Sequence, residues 1–178
     1  MVLPYFLRKS ICRLSSGQQA WKLSSFDEVK SLLVLVSSDD AQTLKHFRWI
    51  RETFSWVRQL IVVQITNEKK FNPPSEKGVL KINKKSFSFF GIPTGQLQEM
   101  LAQNNFDLVV NADDKDLLSL HVVAAAAASK MKIGSPVERC KALYPISLYS
   151  QEAITFEQYL GKCAEYLNAL AGKSKSNA

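Results

Sequence analysis

Residues 106–134, FDLVVNADDKDLLSLHVVAAAAASKMKIG, hold one strand–helix–strand pattern, and no other stretch constrains the fold as tightly. The apolar run Leu108-Val109-Val110 leads into a polar exit, Asn111-Ala112-Asp113-Asp114. An alanine-rich helix is predicted over about 117–130, and Met131-Lys132-Ile133-Gly134 reads as a second strand closed by glycine. Two strands joined through a helix form a parallel pair. The runs 31–38 (SLLVLVSS) and 57–66 (VRQLIVVQIT) are apolar without alternation, as strands covered on both faces must be.

Between these runs the periodicity turns helical. Leu44, Phe47, Ile50 and Phe54 share one side of a predicted helix over 41–54, opened by the capping residues Ser38 and Asp39. Residues 67–85 break the pattern with Pro73, Pro74 and Gly78 and concentrate lysine, with room for a short edge strand at 79–82. Phe87 and Phe89 alternate as a strand's buried face does, so they are expected in the core. A helix is predicted over 94–104, a last edge strand over 144–149 because Pro145 cannot donate to a ladder, and a terminal helix over 153–170. Strands alternating with helices give an α/β class: a three-layer, Rossmann-like domain with a mainly parallel sheet, a basic amphipathic N-terminal helix and a C-terminal helix. The division expected is 1–22 for the N-terminal segment, 23–172 for a single domain and 173–178 for a polar tail.

The 178 residues suit one core. A formal charge of +7 favours anionic partners. No stretch reaches the roughly 20 apolar residues of a membrane span. Cys12, Cys140 and Cys163 show neither a C-x-x-C nor a zinc spacing, and they read as reduced, mostly buried thiols of a cytoplasmic protein. The first 26 residues contain Arg8, Lys9, Arg13 and Lys22 without an acid, and Leu3, Phe6, Leu7, Ile11 and Leu14 recur at helical spacing. Three readings follow: a helix docked on the protein's own core, a helix lying on an anionic membrane through Phe6, Arg8, Lys9 and Arg13, or a transit segment.

Ligands of open α/β sheets bind outside the carboxyl ends of the strands, so Ser38, Asp39, Asn67, Asn111 and Asp113 are the candidate ligand-binding residues. The loop after the first strand has no G-x-G-x-x-G and no G-x-x-x-x-G-K-[ST], and carboxylates stand where a phosphate would want backbone N–H groups. Asp39, Asp113, Asp114 and Asp116 are explained by helix starts. His46 and His121 belong to no H-E-x-x-H or triad, and G-x-S-x-G is missing. No catalytic residue, metal ligand or cofactor is assigned. The lysine-rich loop beside the phenylalanines carries no RNP-like sequence, which sets nucleic acid below a protein or an anionic membrane as partner. The Ala124 to Ala128 run lets its helix approach a neighbour closely, within the chain or across a homodimer.

Residues 84–93 (KKSFSFFGIP) and 104–134 together resemble an uncharacterised domain-of-unknown-function family of Bacteroidota, with its aromatic-Gly-x-Pro element and its phenylalanine–aspartate strand. That resemblance implies no activity. The 106–134 stretch also resembles part of the N-terminal domain of heptosyltransferase-type glycosyltransferases. The sugar-nucleotide domain of those enzymes has no room here, so the resemblance implies a domain without autonomous transfer. The reading of function is a non-enzymatic, cytoplasmic binding or interaction module that works on a macromolecule or at the cytoplasmic membrane surface; the alternative is a small-molecule-binding or degenerate glycosyltransferase-like domain.

Overall fold

The continuous apolar runs form the middle of a parallel sheet. The computed structural model describes residues 4–15, 26–37, 40–66, 76–113, 115, 117–135, 143–148 and 154–175. Among these, the strands are β1 (Ser31–Val36), β2 (Gln59–Ile65), β3 (Val79–Ile82), β4 (Asn105–Asn111), β5 (Ala128–Gly134) and β6 (Ile146–Ser147). They lie in the order β3-β2-β1-β4-β5-β6, every pair parallel. The helices are α1 (Pro4–Ser15), α2 (Asp40–Thr53), α3 (Gly95–Gln103), α4 (Leu118–Ala126) and α5 (Phe156–Lys175).

Alternate residues of each central strand go to opposite faces, and both faces are covered. Leu33, Leu35, Val63 and Val109 pack with Ile11 of α1, Leu97 and Leu101 of α3, and Leu120 to Ala125 of α4. Leu32, Val34, Leu108 and Val110 pack with Phe47 and Ile50 of α2 and with Leu160, Cys163 and Leu167 of α5. The side chains from Leu32 to Leu35 are wholly buried, each contributing about 1.5–3 kcal/mol. The result is three layers. Because the chain runs outward from β1 to β3 on one side and from β4 to β6 on the other, the order reverses between β1 and β4, the switch point at whose carboxyl ends folds of this order bind ligands.

Two boundaries differ from expectation. The alanine-rich helix stops at Ala126, and Ala128 to Lys130 join β5, because Ala128 pairs with Asn105 and Ser129 with Phe106 across the sheet. Sheet pairing overrides alanine's local helix preference, which is worth under about 1 kcal/mol per residue. At the other end, α5 continues through Gly172 to Lys175. The alanine run packs inside the chain, with Ala124 and Ala125 buried in the core that Ile11 of α1 also enters.

Candidate functional site

Asn111 is the last residue of β4, and its side chain shares the face of Asp107 and Val109, beneath α4. Its Nδ2 donates to the Tyr144 hydroxyl at 3.0 Å and lies 3.2 Å from His121 Nδ1 of α4. The Tyr144 hydroxyl is in turn 2.8 Å from the same ring nitrogen, which closes a triangle of three side chains, each no more than 3 % exposed. Tyr144 reaches this position because its ring lies on Gly134, where a Cβ would fall 2.7 Å from Cζ. From the opposite face, Tyr159 of α5 donates its hydroxyl to the Asn111 carbonyl at 3.2 Å. Burial pushes the Tyr159 phenol up, so it stays a neutral donor. One acceptor of the cluster, Asn111 Oδ1, is buried with no hydrogen-bond partner among the described residues.

Asp113 follows two residues after the end of β4 and is also buried. One carboxylate oxygen accepts from the Lys115 backbone N–H at 3.0 Å and the other from the Leu117 N–H, so the acid shapes the turn into α4. The Lys115 ammonium crosses to the β1 side and donates to the Ser37 carbonyl at 3.3 Å. Of the five strand-exit residues singled out from the sequence, Asn111 and Asp113 lie at the carboxyl end of β4, both buried; Ser38, Asp39 and Asn67 lie outside the described residues, as do Asp114 and Asp116. His121 and Tyr144 complete the cluster. Their signal was slight: a histidine in a helix apolar but for Ser119, and a tyrosine preceding proline.

A second feature is the turn that follows Phe87, which lies against α1. Phe87 and Pro93 bridge, and the turn between them is closed by Ser88 N–H to the Ile92 carbonyl at 2.8 Å, Gly91 N–H to the Ser88 carbonyl at 2.9 Å, and Ile92 N–H to Ser88 Oγ at 3.2 Å. Gly91 takes φ +76°, which favours glycine, and a Cβ there would also meet Leu7 at 2.8 Å. Ser10 Oγ donates to the Phe90 carbonyl at 2.7 Å and pins the turn to α1. Phe87 is buried, but Phe89 is 64 % exposed, Phe90 58 % and Ile92 42 %. The expectation of Phe89 as a core residue is therefore corrected. The positive φ at Gly91 turns the chain back before a second strand-like alternation can form.

On α1, Ile11 is fully buried, and Leu7 and Leu14 pack on the same core, so the helix is docked on the domain. Arg8, Lys9 and Arg13 are exposed. The side chain of Phe6 lies outside the described residues. The expectation of reduced thiols is corrected at Cys12, which is disulfide-bonded; spacing along a chain carries no information about distance between folded segments. Cys163 is free and buried, and burial pushes its thiol up. Cys140 lies outside the described residues. Among the described residues no helix is long and apolar enough to cross a membrane.

The strand order and the reversal between β1 and β4 define the class: an open, doubly wound α/β domain of Rossmann-like order, without that fold's phosphate-binding glycines. Residues 4–170 match the family of unknown function DUF6913, and the chain belongs to that family. No curated protein and no solved structure matches it.

Proposed function

We propose that the protein is a binding module whose contact surface is the turn 88–92 with the cations around it. The observation that carries this reading is the exposure of Phe89 and Phe90, adjacent on a turn whose backbone is fixed by hydrogen bonds. Scattered apolar residues on a surface need no explanation, whereas a contiguous apolar patch marks an interaction site. The two rings pack edge to face at 5.5 Å, with Ile92 beside them in the chain.

The alternative, a small-molecule or degenerate transferase-like domain, needs groups at the strand exits that are open to a ligand. Asn111 is instead engaged with His121 and Tyr144, Asp113 with the backbone entering α4, and Lys115 with Ser37. These internal bonds favour the binding module.

A photo-reactive phenylalanine analogue at position 89 in the native cell tests the reading. Covalent adducts with lipid, with another protein or with a second copy, well above those formed from exposed Glu165 on α5, are the expected result. Adducts no more abundant than at Glu165 would overturn it.

A further inference from the structure

We infer that the occupant of this surface is an anionic lipid membrane, into whose headgroup boundary Phe89, Phe90 and Ile92 insert; the inference rests on the contact-surface reading above. Charge is the first support. Arg8, Lys9 and Arg13 are exposed on α1, and Lys84 and Lys85 are exposed just before the turn, while neither 4–15 nor 77–98 contains an acid. The contacts of Ser10 with Phe90 and of Leu7 with Gly91 bring the two basic segments to the same aromatic tip.

The backbone of the tip is the second support. Polar groups entering an apolar medium need partners within the protein, because lipid supplies none. Here the carbonyls of Ser88, Phe90 and Ile92 already accept hydrogen bonds, as do the N–H groups of Ser88, Gly91 and Ile92 donate them. The rings can therefore leave water without stranding those groups. The lysines remain at the headgroups, where each cation near an anionic surface strengthens binding about fivefold. Leu7, Ile11 and Leu14 take no part in insertion, since they are spent on the core.

The test is sedimentation of the full chain with vesicles of equal parts phosphatidylserine and phosphatidylcholine, against vesicles of phosphatidylcholine alone, at low and high salt. The intact protein is expected to sediment with the anionic vesicles at low salt and to be released by salt. Phe89→Ser/Phe90→Ser and Lys84→Glu/Lys85→Glu should each lower binding at least about tenfold. All four positions are exposed, so unchanged melting of each variant verifies its fold. Absence of binding by the intact chain, equal binding to neutral vesicles, or binding indifferent to Phe89→Ser/Phe90→Ser would overturn the inference. Protein adducts at position 89 without vesicle binding would reject lipid while keeping the contact surface; absence of both rejects the two together.

Discussion

Tyr144 rests its ring on the backbone of Gly134, so closely that a β-carbon there would lie 2.7 Å from Cζ. Gly134 ends β5, and the contact aims the tyrosine hydroxyl at Asn111 on the neighbouring strand. A glycine that looks like a strand terminator thus sets the geometry of the buried polar cluster.

Gly134→Ala is expected to destabilise the fold by about 1–3 kcal/mol, because the ring is buried and its hydroxyl is held by two partners and cannot simply move away. The gain from a less flexible unfolded chain, about 0.4–1 kcal/mol, is smaller. Urea unfolding of Gly134→Ala, Tyr144→Leu and the double variant provides the check. In the Tyr144→Leu background the added methyl should cost clearly less, and strictly additive effects would refute the contact as the cause.

Lys132 is wholly buried on β5, its ammonium donating to the Ala125 carbonyl at 3.3 Å, and burial lowers its pKa from 10.5 to about 7. Between those values the unfolded chain holds the proton and the folded chain does not, so stability rises with pH across that window. Below about pH 7 both states are protonated, and this group adds no further slope. The contribution is on the order of 5 kcal/mol at most across the window. Lys132→Met should remove that part of the slope and raise stability at neutral pH and below. Denaturant unfolding of both proteins between pH 6 and about pH 10 reads the difference; identical slopes would show that the amine is charged in the fold.

Asp107 holds the opposite ends of the strands together. Its carboxylate accepts from the N–H groups of Lys30 and Ser31 at 2.8 and 2.9 Å and pairs with Lys130 at 2.7 Å. Burial alone would raise its pKa, but the Lys130 hydrogen bond and the two backbone donors outweigh burial and lower it. The folded pKa lies below the unfolded one, so this stabilisation is present above the ordinary value of 3.8 and is lost as pH falls through the folded pKa. Asp107→Asn should cost about 1–3 kcal/mol at neutral pH, since an amide turns a donor toward at least one N–H. Lys130→Met should cost much less because that ammonium is largely exposed. Acid titration of stability separates them: the Asp107→Asn protein should lose less between neutral and acid pH than the parent.

What the sequence by itself determined is local. Continuous apolar runs at β1, β2 and β4 required burial on both faces and hence a parallel, helix-covered sheet. The strand order, the β5 boundary and the exposure of Phe89 were decided only in three dimensions. So was the meeting of Asn111, His121 and Tyr144, which spans 33 residues of chain. Hydrophobic periodicity reports how each segment divides between water and core, since it repeats within a few residues. Which polar groups then touch depends on sheet register and on a close approach such as Tyr144 over Gly134, contacts whose energy exists only once distant segments have been brought together.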